Sequence, residues 1–386
     1  MKKTFLTLLL VLALLLFACA GGSTPSSPSL HSSSSSSSSL WGEIISPYED
    51  VDWEAFGQYK TALHVHTTNS DGLHSLSEML EDHYEKDYDI VAITDHDVLT
   101  ADWVAANNGF TQARYEDIIK GEGRNGRGLL MIPFTNEPSF TEHLNTYFSN
   151  YDNSSSGISL EENIQQVQSL NGLCHINHPG RYTGGVHGGT QGEEASNDPE
   201  NINKYADLFL KYSLCVGMEI INKKDDESAS DRILWDNILK KTVPQNRNVW
   251  GFSNDDTHNK DHTGFSFNMF VMQSNNTDNF KSAMLSGSFY AVARVSKREL
   301  GDSFIGNGPT PIIKNITVNK TEASITITSD NTEKIEWISD GKVIATGSTI
   351  NLKECENVGS YVRANISGPG GIAFTQPFVL NKNTQN

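Results

Sequence analysis

Histidine and carboxylate residues recur in five short clusters between residues 64 and 258 of this 386-residue chain. Imidazole nitrogens and carboxylate oxygens are ligands that Zn²⁺, Mn²⁺ and Fe²⁺ all accept. One such cluster is commonly a surface loop or a core histidine, but five clusters exceed what a single zinc ion needs. The pattern therefore predicts a site for two to three divalent ions (Zn, Mn or Fe). The nine predicted ligands are His64, His66, Asp71, His96, Glu137, His143, His178, Asp256 and His258.

Spacing within the clusters limits what each residue can do. His64 and His66 stand two apart, so on a strand both imidazoles face the same side and can bind one ion. Glu137 stands alone, and its carboxylate can bridge two ions, which an imidazole cannot do. Asp255 and Asp256 are adjacent, and only the D-x-H spacing favours Asp256.

Short apolar runs precede the clusters and are typical of buried β-strands. We expect strands at residues 61–65, 88–94, 129–135, 173–177, 216–222, 249–253 and 268–273, and helices at 75–86, 160–170 and 231–241. Strands that alternate with helices form parallel β/α units, and active sites lie at the carboxyl ends of such strands. The elements therefore predict one shared site for all five clusters.

Other polar residues stand next to the predicted ligands. Asp95 precedes His96 and is expected to orient an imidazole rather than to bind an ion. His175 is expected to be an outer or structural residue. Glu219 and Asn222 end the strand predicted at 216–222 and are expected to face the same site.

From residue 309 onward the pattern changes to short β-rich runs separated by turn signals. The runs cover residues 312–318, 323–328, 334–339, 342–345, 360–366 and 373–379. This spacing predicts a small all-β, sandwich-like module at residues 306–386. The metal-binding body then occupies residues 51–305.

The N-terminus has the composition of a targeting segment. Lys2 and Lys3 precede an apolar run at residues 4–17, which is too short for a typical membrane-spanning helix. The run ends in Leu16-Phe17-Ala18-Cys19, which resembles the bacterial lipobox. We therefore predict a lipoprotein signal peptide at residues 1–19, with an ordinary secretory signal as the alternative. The Ser-rich residues 20–50 are predicted to be a disordered tether, and the protein to be lipid-anchored through Cys19 in the bacterial cell envelope.

The formal net charge of −18 excludes nucleic acid as an expected partner, because phosphate backbones are bound by Lys and Arg. A small anionic substrate stays compatible with this charge, since bound metal ions set the local potential. The four cysteines have no spacing typical of a zinc ribbon or a disulfide scaffold.

The order of the motifs resembles that of the polymerase-and-histidinol-phosphatase (PHP) superfamily. The chain has H-x-H, then D-G, T-D-H, an isolated E, H-P and D-x-H, and the resemblance covers residues 61–305. It implies an α/β fold, a distorted seven-stranded β/α barrel holding three divalent ions. By this resemblance, His64, His66, Glu137 and Asp256 bind the first ion, Glu137 bridges to a second completed by His143 and His178, and Asp71, His96 and His258 bind the third.

The resemblance implies a metal-dependent hydrolase in which a hydroxide bridging two ions cleaves a phosphoester of a small substrate. Glu137 is the bridging carboxylate. Arg181 is expected to pair with an anionic group of the substrate, the alternative being a surface arginine. His187, in a Gly-rich stretch at residues 184–189, is a candidate general acid.

Two other functions stay open. The lipobox, the barrel-like body and the β-rich tail together resemble the carbaryl hydrolase-like branch, which implies carboxyl ester or carbamate hydrolysis at the same site. A function of another class is that of a non-catalytic surface binding lipoprotein. The complete set of nine ligands argues against this class, because a degenerate site is expected to lose ligands.

Overall fold

A computed structural model of the chain describes residues 41–104, 109–152, 156–183 and 190–382. The predicted signal peptide, Cys19, most of the tether and His187 lie outside the described residues. Within these ranges no helix has the length and apolar composition needed to cross a membrane.

The described part of the chain contains short strands throughout. They are β1 (Trp41–Ile45), β2 (Gly57–Ala62), β3 (Ile90–Val91), β4 (Leu130–Met131), β5 (Leu144–Tyr147), β6 (Leu173–Ile176), β7 (Cys215–Asn222), β8 (Trp250–Asn254), β9 (Ser266–Met272), β10 (Phe289–Ala293), β11 (Ile312–Asn319), β12 (Ser324–Asp330), β13 (Lys334–Ser339), β14 (Lys342–Thr346), β15 (Thr349–Asn351), β16 (Tyr361–Gly368), β17 (Gly371–Thr375) and β18 (Phe378–Lys382).

Helices lie between the strands up to residue 300. They are α1 (Leu76–Glu85), α2 (Gln112–Lys120), α3 (Leu160–Ser169), α4 (Gly180–Thr183), α5 (Thr190–Asn197), α6 (Pro199–Lys211), α7 (Asp231–Thr242), α8 (Thr277–Ser286) and α9 (Lys297–Leu300). Two of them begin at capping boxes: the Ser75 and Ser159 hydroxyls accept the backbone N–H of Glu78 and Glu162, whose side chains accept the serine N–H in return. A mixed α/β fold is confirmed.

The strands that precede the polar clusters belong to two sheets. In one sheet β2, β3 and β4 are parallel neighbours, and in the other β6, β7 and β8 are parallel, with β5 antiparallel to β6. Single bridges join the two sheets beyond the strand ends, at Val65 with Thr257 and at Asn136 with Thr146. Polar residues from both sheets therefore meet at one edge, while the closed seven-stranded barrel stays a prediction.

Several C-terminal strands continue the larger sheet, whereas β11, β12 and β15 form a three-stranded sheet of their own. β17 pairs with β10 through Tyr290–Thr375 to Ala293–Ile372, and the sheet runs on through β16 and β18 to β1. The pairing of β17 with β10 covers backbone N–H and C=O groups that β10 would otherwise leave unpaired. The described residues after 306 contain strands and no α-helix, and the small all-β module with its boundary at 305/306 stays a prediction.

Two segments near the ends of the described chain differ from expectation, one for a local reason and one because of tertiary contacts. The run predicted as one strand at 373–379 is divided into β17 and β18 at Pro377, which has no N–H to donate. The predicted tether at 20–50 contains β1, which pairs with β18. Ile44 is buried and the Tyr48 hydroxyl donates to the carbonyl of Phe289 at 2.9 Å, so tertiary contacts fix this segment.

A buried charge pair joins helix α7 to strand β16. The Arg363 Nε and Nη2 donate to the Asp236 carboxylate at 2.9 and 2.7 Å, and the Tyr361 hydroxyl donates to the same carboxylate at 2.7 Å. The guanidinium carbon lies 4.8 Å from the ring centroid of Trp235. The C-terminal strands are therefore fixed to the helical layer by charge as well as by packing.

We expect Arg363→Ala to lower the free energy of unfolding by roughly 3–5 kcal/mol, because it leaves the Asp236 carboxylate buried without its partner. Urea denaturation of the purified protein measures this loss. The control is Lys334→Ala, which removes the partly exposed pair with Glu336 and should cost about 1 kcal/mol or less. Equal losses in both variants would show that the Asp236–Arg363 pair is not a structural link.

Candidate metal centre

All nine predicted ligands lie at the edge where the two sheets meet. His64 and His66 follow β2, Asp71 lies in the next loop, His96 follows β3, Glu137 follows β4, His143 precedes β5, His178 follows β6, and Asp256 and His258 follow β8. Backbone bonds beyond the strands hold these loops together. The His66 N–H donates to the Thr257 carbonyl at 2.9 Å, and His96 and Glu137 form an isolated parallel bridge.

The Glu137 carboxylate lies at the centre of the cluster and is fully buried. Its oxygens lie close to one ring nitrogen of each of five histidines: 3.1 Å from His64, 3.4 Å from His66, 2.8 Å from His96, 3.1 Å from His143 and 3.7 Å from His178. Burial alone raises the pKa of Glu137, but the charges of His64 and His143 lower it well below its usual range. Glu137 is therefore a carboxylate around which the imidazoles are arranged.

Two aspartates extend the cluster on either side of the imidazoles. Asp256 Oδ1 is buried and lies 3.1 Å from His66 Nε2 and 3.4 Å from His64 Nε2. Asp71 Oδ2 lies 3.2 Å from His258 Nε2, and the Asp71 side chain is 54% exposed. The cluster therefore has a buried end at Asp256 and an end open to solvent at Asp71.

Ligand atoms gather into four overlapping groups in which all atoms lie within 4.8 Å of one another. The groups are His66-Asp71-His96-His258, His64-His178-Asp256, His64-His66-Glu137 and His96-Glu137-His143. The set predicted for the third ion lies in one group, with His66 added. The set predicted for the second ion is divided, because His143 groups with His96 and Glu137 while His178 groups with His64 and Asp256.

The donor atoms fit divalent cations. Buried polar atoms in proteins are almost always hydrogen-bonded. In the part of the chain that the structure describes, buried atoms of this cluster that make no hydrogen bond are His64 Nε2, both ring nitrogens of His66 and His178, His96 Nδ1, Glu137 Oε2 and Asp256 Oδ1. Their types and their convergence are those expected of metal ligands.

The structure distinguishes the two adjacent aspartates. Asp255 turns away from the imidazoles and accepts the backbone N–H groups of Gly264, Phe265 and Ser266 at 2.5 to 3.0 Å. Burial raises the pKa of Asp255 to about 7. The geometry therefore favours Asp256 as the ligand and assigns Asp255 to the loop before β9.

Glu219 lies fully buried behind the histidines. The His64 Nδ1–H donates to Glu219 Oε1 at 2.8 Å, which leaves His64 Nε2 directed at Glu137 and Asp256. Glu219 also accepts the His178 backbone N–H at 3.0 Å. Burial raises the pKa of Glu219, but the charge of His64 lowers it overall. The residue was expected to face the site, whereas it positions two of the histidines from behind.

Asp95, which was expected to orient an imidazole, has a different role. Among the described residues, no imidazole contacts the Asp95 carboxylate. It accepts the Thr67 N–H at 2.6 Å and the Thr67 and Ser70 hydroxyls at 2.7 Å each. Our expectation for Asp95 is therefore wrong, because its carboxylate holds the loop between His66 and Asp71.

Arg181 and His187 are the predicted substrate-binding and acid residues of the metal centre. The Arg181 Nε and Nη2 both donate to Glu227 Oε2 at 2.7 Å, so its guanidinium is already paired. His187 lies outside the described residues. Lys223, which our reasoning from sequence missed, places its Nζ 3.2 Å from Asp256 Oδ2. The only signal in the sequence is its position directly after a predicted strand.

Similarity to known proteins is found over part of the chain. No protein-family model matches the chain. The chain is 36% identical over 95 residues to DNA polymerase/3'-5' exonuclease PolX of Bacillus subtilis (strain 168), a segment that is 23% of this chain and 16% of that protein. The chain thus spans about a sixth of that relative, and the activities in its name are those of that protein.

Two solved structures are similar at low identity. One is a two-domain protein containing a predicted PHP-like metal-dependent phosphoesterase from Bacteroides vulgatus, with a TM-score of 0.45, 14% identity and coverage of 89% of this chain and 92% of that one. The other is the lesion-specific endonuclease PfuEndoQ from Pyrococcus furiosus, with a TM-score of 0.35, 15% identity and coverage of 59% and 56%. The name of the first of these structures contains the family that the motif order resembles. The carbaryl hydrolase-like branch stays a prediction.

We expect Asp256→Asn to reduce the metal content of the purified protein, because it weakens an oxygen ligand at the buried end of the cluster. Asp255→Asn is the matched control and should keep its metal, since Asp255 faces the loop before β9. Elemental analysis of both variants after loading with Mn²⁺ or Zn²⁺ measures the difference. Metal loss from the Asp255 variant alone would reverse the assignment.

Glu219→Gln should weaken metal binding by about 10- to 100-fold, which is typical when a partner behind a ligating histidine is lost. The amide can still accept a hydrogen bond from His64, but it carries no charge to match the imidazole. Titration of the metal-free protein with Zn²⁺ measures the affinity. Unchanged affinity would contradict the positioning role of Glu219.

Proposed function

We propose that this chain is a metal-dependent hydrolase that cleaves a phosphoester of a small anionic substrate. The observation that carries the proposal is the convergence of five imidazoles on the buried Glu137 carboxylate. Several of the ring nitrogens and one carboxylate oxygen of this group make no hydrogen bond and are available as metal ligands. The open end of the cluster at Asp71 provides a route for a substrate. The resemblance to the PHP superfamily supports the same reaction class.

The chemistry of the site follows from its donor set. Divalent ions, when bound, lower the pKa of water and neutralise charge on substrate oxygens. His64, His66, Glu137 and Asp256 would hold one ion, with Glu137 shared by a second. The protein's part is to orient these ligands, which Glu219 does for His64 by accepting its Nδ1–H so that Nε2 faces the centre.

Other residues supply positive charge around the ligands. Arg181 lies near enough to Asp256 for the carboxylate to raise its pKa, although burial acts in the opposite direction. Its pair with Glu227 fixes the guanidinium plane beside the centre. We propose that Arg181 contributes to the binding of an anionic substrate from this fixed position. The roles of His187 as an acid and of Cys19 as a lipid anchor in the bacterial envelope rest on the sequence alone.

Assays after loading with Mn²⁺ or Zn²⁺ test the reaction class. A panel of phosphomonoesters, phosphodiesters, carboxyl esters and carbamates should show turnover of phosphoesters. Turnover confined to carboxyl esters or carbamates would instead support the alternative substrate class. A protein that binds no metal and hydrolyses none of these substrates would be a binding protein, and the proposal would fail.

Loss of an outer partner typically costs about 10- to 100-fold. Glu137→Gln should reduce hydrolysis by more than this, because it removes the carboxylate charge on which five imidazoles converge and which two ions would share. The matched control is Glu142→Gln in the same loop, since Glu142 is paired with Lys204 and Tyr205 instead. Initial rates at saturating metal measure both variants. Full activity of the Glu137 variant would refute its central role.

A further inference from the structure

Lys223 directly follows β7 and has an unusual backbone conformation. Its φ angle is +53°, in the left-handed region that residues other than glycine rarely adopt. The Lys223 N–H donates to the Asn254 carbonyl at 2.9 Å, and its carbonyl accepts the Ser266 hydroxyl at 2.7 Å. These two bonds fix the residue against β8 and β9, and strained positions of this kind are frequent at functional sites.

The fixed backbone directs the Lys223 ammonium to the metal centre. Its Nζ lies 3.2 Å from Asp256 Oδ2, while Oδ1 of the same carboxylate lies between His64 and His66. Asp256 is 2% exposed, whereas the Lys223 side chain is 37% exposed. The ammonium therefore lies between solvent and the buried end of the cluster.

The charges that follow Lys223 in the chain are directed elsewhere. Lys224 Nζ lies 4.2 Å from the ring centroid of Phe265, and the Asp225 carboxylate accepts two bonds of 2.8 Å from the buried Arg232.

The two remaining charges of the segment are acidic. Asp226 pairs with Lys297 and Glu227 pairs with Arg181. In a chain with a net charge of −18, this arrangement directs a cation at the centre and turns the neighbouring carboxylates to other partners.

We propose that Lys223 is a substrate-binding residue that donates to a non-bridging oxygen of the phosphoryl group. This inference rests on the proposed function. An ammonium has three N–H donors, so the ion pair with Asp256 leaves N–H groups that can bind a substrate oxygen. A compact charge on a flexible, partly exposed stem can approach a phosphoryl oxygen without breaking that contact. Asp256 would then hold both a metal ion and the cation that binds the substrate.

The binding of inorganic phosphate to the metal-loaded protein tests this role without relying on turnover. Lys223→Gln should keep its metal content and bind phosphate about 10- to 100-fold more weakly in calorimetric titrations, as expected for one hydrogen bond to a charged group. Lys223→Arg keeps the charge and should retain most of the affinity. Lys224→Gln is the matched control, because its ammonium lies over Phe265, and it should bind phosphate like the unchanged protein.

Lys223→Asn provides a second test if the glutamine variant folds poorly, because asparagine tolerates the left-handed region. Unchanged phosphate affinity in both neutral variants would overturn the proposal. So would loss of metal from them, since Lys223 would then only support Asp256.

Turnover by the unchanged protein separates this inference from the proposed function. If that protein binds phosphate through Lys223 but cleaves no phosphoester, the proposed reaction fails and the anion site stands. If it cleaves phosphoesters but KM is unaltered by Lys223→Gln, the reaction stands and the role of Lys223 fails. The predicted result is a raised KM with a smaller change in kcat.

Discussion

The burial of the Glu137 carboxylate among five imidazoles is the constraint on which the rest of this structure depends. A carboxylate removed from water is tolerated only if it is paired with positive charge and hydrogen-bonded. Hydrogen bonds within the cluster meet this need only in part. Asn177 and His143 donate to Glu137 Oε1, whereas Glu137 Oε2 makes no hydrogen bond. The same convergence is the arrangement that divalent ions require. The loops that follow β2, β3, β4, β6 and β8 must therefore be held in register at one edge.

That register depends on parts of the chain far from the site. β2 lies beside β9, β9 beside β10, and β10 beside β17. The strand that precedes His64 and His66 is therefore supported by a sheet that continues into the C-terminal region. One hydrophobic core contains Val91 of β3 together with Trp337 and Phe378 of the C-terminal strands. The C-terminal strands thus belong to the framework of the site, and their connection to α7 through Arg363 stabilises the second sheet from outside.

Local sequence signals were enough to predict much of this arrangement. Helix 75–86 was predictable to within one residue, since Ser75 and Glu78 form a capping box. The convergence of the predicted ligands followed from the alternation of strands and helices. The role of Asp95, the strand within the tether and the position of Lys223 were not predictable, because they depend on contacts between residues far apart in the sequence. Glu219 is such a case, since 155 residues separate it from its partner His64.

Three residues at this edge have a strained backbone conformation. His178, Lys223 and Asp256 all have positive φ angles, of 26°, 53° and 47°. Each such position costs of order 1–3 kcal/mol and persists only where the surroundings over-determine it. Here the surroundings are known: Glu219 binds the His178 N–H, and Asn254 and Ser266 bind the backbone of Lys223. The strain therefore directs one imidazole, one carboxylate and one ammonium at a common centre. An acidic protein can in this way present a locally cationic site, with bound ions and Lys223 reversing the sign of the surrounding charge.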